Sequence, residues 1–216
     1  MRKLVIIGSG AQSIDILETV HAINERQPTY ALTGFLDDDV SLRGKEIFGL
    51  PILGPIADGA SLPSDTFFVS GIGLLSLLAR RPAIIARTGV SPDRFATIIH
   101  PSATVSRWCS VGKGSVILQH ATVTAQASIG DQVMILAGGI ISHHVSIGDY
   151  CILAGGSCVS GRVTVGPRTY IGTNASIRES LTIGSDCIIG MGAVVLEHVP
   201  DGRTVVGNPA RTLPRQ

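Results

Sequence analysis

The chain is short of charge, and the charge it carries nearly cancels. Only 15% of its 216 residues are charged, and the formal net charge is +1. Such a chain has no electrostatic footprint for nucleic acid or for an anionic membrane surface, so we expect neither as a partner. The scarcity of charge also indicates that part of the surface is covered by further copies of the chain.

Long apolar runs and paired cysteines are missing too. No stretch approaches the roughly 20 apolar residues that a membrane-spanning helix needs. The opening MRKLVIIG is too short for a signal peptide and is typical of a first strand, so we expect a cytoplasmic protein. No CxxC spacing occurs among the four cysteines, which favours reduced core thiols over disulfides or metal ligands.

What the chain has instead is a six-residue repeat. From Ile99 to Val195 every sixth residue is Val, Ile or Leu, without exception. This period fits neither a helix, at 3.6, nor a single strand, at 2. It fits a coil with three six-residue sides, each of which buries one apolar residue, so the repeat predicts a parallel β-helix. Glycine often follows a series residue, as at Gly112 and Gly148, and we expect those glycines to adopt positive φ at the corners.

The first hundred residues follow another pattern. Strands are predicted near 3–8, 30–36, 67–70 and 96–99, and helices over 14–24 and 74–87. Alternating strands and helices predict a small α/β domain with a parallel sheet, half of a Rossmann-like fold. We therefore expect an α/β domain over residues 1–98 and the β-helix over residues 99–216.

The turn after the first strand indicates a phosphate site. The sequence GSGAQS is similar to the GxGxxG fingerprint, with Ser13 in the third glycine position. Backbone N–H groups and the start of the helix would face a phosphate there. Acidic residues Asp37 to Asp39 follow the second strand, where ribose or base hydroxyls are usually held. The domain is too short for a dinucleotide, but it could hold the nucleotide diphosphate of an activated sugar.

Two adjacent histidines are the candidates for chemistry. His143 and His144 lie in the middle of one hexad, ISHHVSIGDY. A neutral imidazole there could take a proton from an attacking amine or hydroxyl group. The alternative is a pair of exposed polar residues on a coil.

Together these features resemble the bacterial sugar acetyltransferases of the sialic acid O-acetyltransferase and bacillosamine or perosamine N-acetyltransferase type. The resemblance is carried by IIGSGAQ, GFLDDD, GKEIFGLPILG, VSGIG, IIHPSA, the hexads, ISHHVSIGDY and VVGNPAR. It implies a left-handed β-helix, a homotrimer, and acetyl-CoA bound between subunits. It also implies an N-acetyltransferase of bacterial surface glycan synthesis, which acts on a nucleotide-linked amino-deoxysugar without a metal ion.

The resemblance also implies site residues. His143 takes the position of the family's catalytic base, and His144 stands where the family has an acid. The residues implied for acetyl-CoA are Ile152, Gly155, Gly156, Gly161, Thr173, Gly190, Met191 and Arg211. Those implied for the nucleotide-linked sugar are Ser9, Gly10, Ala11, Gln12, Asp37, Asp38, Gly71 and Gly73, while Asp39 is expected to be a turn residue.

Three other interpretations stay open at this point. The acceptor could be a sugar hydroxyl, as in the sialic acid enzymes, or the chain could bind nucleotide sugar without turnover. A zinc site of the gamma-class carbonic anhydrase kind would use His120, His143 and His144. Against zinc, adjacent residues on an extended strand point to opposite sides. Asp149 or Glu179 could replace the missing acid beside the base.

Overall fold

The structure, a computed structural model, describes residues 1–213. It divides into two compact units, residues 1–101 and the chain from Ser102 onward. Within residues 1–213, no helix has the length and apolar character that crossing a membrane would require.

The first unit is an α/β structure with one five-stranded sheet. Its helices and strands are β1 (Arg2–Ile7), α1 (Ala11–Arg26), β2 (Tyr30–Leu36), β3 (Glu46–Ile47), β4 (Leu50–Gly54), β5 (Thr66–Ser70), α2 (Arg81–Ala86) and β6 (Ile98–Ile99). The sheet order is β3-β4-β2-β1-β5, and β1 pairs in parallel with both β2 and β5. Leu4 to Ile7 of β1, an interior strand, are at most 1% exposed, as expected for a parallel strand covered on both faces.

Two elements of this unit differ from the prediction. The helix expected over residues 74–87 is split into a 3₁₀ helix, Leu75–Arg80, and the α-helix α2. Pro82 explains the split, because proline lacks an N–H and its ring clashes with the carbonyl of the residue four earlier. The β3–β4 hairpin was not predicted; both of its turn residues, Phe48 and Gly49, have positive φ angles, as type I′ turns require.

The second unit is a β-helix built mainly of two-residue strands, so that prediction is confirmed. One sheet contains β7 (Thr104–Val105), β10 (Thr122–Val123), β13 (Ile140–Ile141), β16 (Cys158–Val159), β19 (Ser176–Ile177) and β22 (Val194–Val195). The second contains β8 (Ser110–Val111), β11 (Ser128–Ile129), β14 (Ser146–Ile147), β17 (Thr164–Val165) and β20 (Thr182–Ile183). The third includes β9 (Val116–Ile117), β12 (Met134–Ile135), β15 (Ile152–Leu153), β18 (Tyr170–Ile171), β21 (Ile188–Ile189), β23 (Thr204–Val206) and β24 (Arg211–Thr212).

The six-residue series forms the core of this unit. From Ile117 to Val195, no member of the series is more than 3% exposed. Partners in neighbouring coils are 18 residues apart, as Thr122 and Ile140 show, so three hexads complete one coil. Burying each of these side chains contributes roughly 1.5–3 kcal/mol, which explains why the series is never interrupted.

The corners are built differently from our expectation. Positive φ occurs three residues after each series member from Val111 to Ile189, at positions occupied by glycine, His144, Asn174 and several other residue types. Gly112 and Gly148, expected to have positive φ, do not have it. They are needed for space instead, since a Cβ on Gly148 would lie 2.6 Å from the backbone nitrogen of Pro167 in the next coil.

Polar side chains tie successive coils together at these corners. The Arg168 guanidinium donates two hydrogen bonds to Asp186, at 2.7 and 2.6 Å, and this pair holds the pKa of the Asp186 carboxyl below its usual range. On a neighbouring column, Asp149 Oδ1 accepts a hydrogen bond from the backbone N–H of Asp131 at 2.8 Å. Asp149 therefore links two successive coils, and within the chain it is not the partner of His143.

Candidate active site

His143 and His144 occupy the corner between β13 and β14. Ile141, which is fully buried, fixes the register of β13, so the residue two positions later emerges at the corner. Both histidines are exposed, and His144 has a φ of 60°. The left-handed backbone at His144 turns its side chain back toward that of His143.

The two imidazole rings meet. Their Nδ1 atoms are 3.0 Å apart and the ring planes are nearly perpendicular, at 89°. A neutral imidazole has one N–H and one acceptor nitrogen. When His143 donates its Nδ1 proton to His144, its Nε2 is left as an unprotonated base. The expectation that the two side chains point to opposite sides is wrong, because the pair lies on a left-handed corner rather than on an extended strand.

Gly161, on the next coil, provides the space for the His143 ring. A Cβ on Gly161 would lie 2.6 Å from Cε1 and 2.9 Å from Nε2 of that ring. The coils are linked directly beside it, where the N–H of Arg162 donates to the carbonyl of His143 at 3.1 Å. The glycine therefore positions the histidine ring. The contact with acetyl-CoA that the resemblance implies for Gly161 stays a prediction.

The other residues implied for acetyl-CoA lie mostly on a different corner. Gly155, Gly156, Thr173, Gly190 and Met191 are on the turns that lead from the third sheet into the β7-containing sheet. His143 and Gly161 lie on the turns at the opposite side of that sheet. Met191 is 79% exposed, so it is accessible to a ligand.

Ile152 behaves differently from the rest of this set. Its side chain is only 1% exposed in the single chain, and the contact with acetyl-CoA that the resemblance implies for it stays a prediction.

Arg211 borders a second cleft, at the carboxyl-terminal end of the β-helix. This cleft has a volume of about 320 Å³ and includes Glu197, His198 and Thr212. Glu197 is on the same corner column as His143, three coils further along, which corresponds to about 14 Å at the usual strand spacing. His198 Nδ1 accepts a hydrogen bond from the N–H of Thr182 at 2.9 Å, so this ring is fixed rather than freely solvated.

The residues implied for the nucleotide sugar lie together in the first unit. All of them line one cleft of about 440 Å³: Ser9, Gly10, Ala11, Gln12, Asp37, Asp38, Gly71 and Gly73. The cleft is at the carboxyl ends of β1, β2 and β5, which is where parallel sheets bind ligands. α1 begins there, and the residue before it, Gly10, provides no side-chain cap.

Asp37 and Asp38 have structural partners in this cleft. Asp37 Oδ2 accepts hydrogen bonds from the N–H and hydroxyl of Ser9, at 2.8 and 2.6 Å, so Asp37 fixes the glycine turn. Asp38 accepts from the N–H of Ile56 at 3.1 Å and forms an ion pair with Arg87 at 3.0 Å.

Asp39 is a turn residue, as expected. It accepts from the N–H of Ser41 at 2.9 Å, and hydrogen bonding by Ser41 lowers the pKa of its carboxyl.

Ser13 fits the third glycine position for a local reason. Its hydroxyl donates to the carbonyl of Gly8 at 2.8 Å and occupies the space that a side chain on Gly71 would need. Arg80 and Arg87 also line the cleft, and neither was predicted from the sequence. The available signal was a basic residue on each side of α2, but it could not show that both reach the cleft.

The three histidines of the zinc hypothesis do not come together in the chain. His120 is on the corner between β9 and β10, another edge of the coil from His143 and His144. Among residues 1–213, no group of three or more His, Cys, Asp and Glu side chains could hold a metal ion.

Comparison with known proteins agrees with this architecture. Residues 162–197 match the family model "Bacterial transferase hexapeptide (six repeats)". Over 120 residues, the chain is 33% identical to UDP-N-acetylbacillosamine N-acetyltransferase of Bacillus subtilis strain 168. That match covers 55% of this chain and 52% of the relative, so it spans about half the relative's length.

Two solved structures are similar over nearly their whole length. One is the acetyltransferase domain of PglB from Neisseria gonorrhoeae in complex with acetyl coenzyme A, with 31% identity, a TM-score of 0.86, and coverage of 98% of this chain and 99% of that one. The other is a histidine-to-asparagine mutant of perosamine N-acetyltransferase from Caulobacter crescentus with CoA and GDP-perosamine, with 27% identity, a TM-score of 0.87, and coverage of 99% and 97%.

These likenesses confirm the resemblance drawn from the motifs and the left-handed sense of the β-helix. The chain belongs to the bacterial nucleotide-sugar acetyltransferase family of left-handed β-helix, hexapeptide-repeat proteins.

Proposed function

We propose that the protein transfers the acetyl group of acetyl-CoA to the amino group of a nucleotide-linked amino-deoxysugar, in bacterial surface glycan synthesis. The observation that carries the proposal is the position of the His143 ring. The ring is exposed on a corner of the coil, packs against Gly161, and contacts His144 through Nδ1. The relatives with sugar N-acetyltransferase names support the amine as acceptor.

His143 acts as the general base. The amine nitrogen attacks the thioester carbonyl carbon, and Nε2 of His143 accepts the proton that the nitrogen loses. The tetrahedral intermediate then collapses, the C–S bond breaks, and the CoA thiolate leaves and takes up the proton held by the imidazole. General base catalysis supplies roughly 10²- to 10⁴-fold of the rate, and positioning of two bound substrates supplies much of the remainder.

The oxyanion of the intermediate needs a donor close to the base. We assign this role to the N–H of Gly161. This residue is on the adjacent coil against the His143 ring, while the N–H groups of its neighbours Ser160 and Arg162 are already bonded to carbonyls of other coils.

His144 acts as the acceptor that fixes the tautomer of His143. An acceptor at Nδ1 holds the proton there and leaves Nε2 available, which is the role that a carboxylate plays in a catalytic triad. A neutral imidazole stabilises the protonated base less than a carboxylate does. The protein therefore retains the orientation of the base and loses part of its electrostatic support.

Acetyl-CoA binds where two copies of the chain meet, in a homotrimer. Thr173 and Met191 are on one edge of the coil and His143 is on another, and six residues at about 3.3 Å per residue place these edges up to ~20 Å apart. One acetyl-CoA molecule can contact both sets when the edge with Thr173 and Met191 of one chain faces His143 of the neighbouring chain. Arg211, about three coils from the base, then meets the CoA phosphates.

Acetyl transfer itself is the test. The protein is incubated with acetyl-CoA and a panel of nucleotide-linked 4-amino-4,6-dideoxysugars, and the product is followed by mass spectrometry. The proposal predicts an acetylated amine and free CoA. Acetylation of a hydroxyl instead would indicate an O-acetyltransferase. Binding of nucleotide sugar without release of CoA would indicate a protein that has no turnover.

A further inference from the structure

The nucleotide cleft carries more negative than positive charge. Its lining includes three carboxylates, Asp37 to Asp39, and two guanidinium groups, Arg80 and Arg87, which gives a formal charge of −1. A nucleotide diphosphate is itself strongly anionic, so this balance opposes its binding unless a cation is directed at the phosphates.

Most of these charges are already engaged. Asp37 holds Ser9, and Asp39 caps the N–H of Ser41. Arg87 is paired with Asp38 at 3.0 Å. A guanidinium held by a carboxylate is partly neutralised and is less available to a phosphate.

Arg80 is the exception. It is exposed, it lines the cleft, and it has no ion pair or side-chain hydrogen bond with the residues that the structure describes. It ends the 3₁₀ helix Leu75–Arg80, which follows the Gly71–Gly73 turn of the same cleft. The start of α1, where Gly10 provides no side-chain cap, forms another part of the lining.

We propose that Arg80 binds the diphosphate of the nucleotide-linked sugar and so makes the cleft select diphosphate-linked substrates; this proposal rests on the proposed function. A guanidinium presents two parallel N–H donors that match the oxygens of a phosphate. The uncapped N–H groups at the start of α1 bind the same anion. Leu77 and Ile84 provide an apolar wall for the nucleoside, which needs no charge.

The test measures binding alone, by isothermal titration calorimetry on the full chain. The probes are UDP, GDP and dTDP, and the matching nucleosides without phosphate. Arg80→Gln is compared with Arg80→Lys and with Arg43→Gln, an exposed arginine that does not line the cleft.

We expect Arg80→Gln to raise the Kd of the diphosphate about tenfold and to leave the affinity for the nucleoside unchanged. The affinity for the diphosphate should also depend less on salt concentration. Arg80→Lys should fall in between, and Arg43→Gln should bind like the wild type. Wild-type affinity in Arg80→Gln, or an equal loss for nucleosides, would overturn the assignment of Arg80 alone. Absence of binding of all three diphosphates to the wild type would overturn this proposal and the proposed nucleotide substrate together.

Discussion

Replacing Gly161 by alanine tests the geometry of the base directly. The new methyl group would lie 2.6 Å from Cε1 of His143, where ordinary contacts begin at about 3.4 Å. The backbone at Gly161 is not left-handed, so alanine is tolerated there in itself. The exposed imidazole is the group that can move, and it has to shift by about 1 Å.

A shift of that size removes most of the benefit of the base. Displacements of about 1 Å at a reacting group cost on the order of 10²-fold in rate, or about 2.7 kcal/mol. We expect kcat to fall by that factor while the KM of the nucleotide sugar stays unchanged. Steady-state kinetics with acetyl-CoA and the acceptor sugar, together with thermal unfolding of each variant, provide the measurement.

Gly155→Ala is the matched comparison. A methyl group at Gly155 would lie 3.4 Å from the carbonyl of Ala137, an ordinary contact, and it is far from the base. We expect any effect of Gly155→Ala on the KM of acetyl-CoA rather than on kcat.

A double variant separates positioning from other effects. If Gly161→Ala acts through the imidazole, combining it with His143→Ala should cost no more than His143→Ala alone. An unchanged kcat in a folded Gly161→Ala protein would show that the methyl group does not displace the His143 imidazole. So would full additivity of the two substitutions.

Three further outcomes are expected. His144→Asn should lower kcat about tenfold, and asparagine is chosen because it tolerates the positive φ at this position. His144→Asp should restore kcat or raise it, because its carboxylate orients His143. Equal losses of kcat in both variants, measured by steady-state kinetics, would contradict the tautomer role of His144. Asp186→Asn should cost at most about 1 kcal/mol of unfolding free energy at neutral pH, because the pair with Arg168 is partly exposed. Because pairing lowers the pKa of Asp186, that stabilisation is present above the pKa of the unfolded state and is lost as pH falls through the pKa of the folded state. A difference in unfolding free energy between Asp186→Asn and the wild type that persists below that range, in acid-unfolding curves, would exclude the pair as its source. Asp37→Asn should weaken nucleotide diphosphate binding severalfold through a loosened glycine turn, and wild-type affinity in calorimetry would show that the turn does not need this carboxylate.

The β-helix and its core could be predicted because one physical requirement repeats in every hexad. Each side of the coil needs one inward apolar residue, and the series from Ile117 to Val195 supplies it. The corners could not be predicted as well. The left-handed positions are occupied by many residue types. Gly112 and Gly148 are required because the backbone of the neighbouring coil leaves no space for a Cβ, and the spacing along one coil does not reveal that contact.

The candidate site was predicted in part for similar reasons. The glycine turn and the acids after β2 lie close in sequence to strand ends, so their common cleft followed from the topology of a parallel sheet. Arg80 enters the same cleft only through the packing of the 3₁₀ helix, and the contact between the rings of His143 and His144 depends on one φ angle. Neither leaves a periodic signal in the sequence.

The most direct test of the account is acetyl transfer by the wild type and by His143→Ala with the same nucleotide-linked amino sugar, followed by mass spectrometry. We expect N-acetylated product from the wild type, and a rate lower by roughly 10²- to 10⁴-fold, but not zero, from the variant. An unchanged rate in a correctly folded His143→Ala protein would contradict the central claim that this histidine is the base.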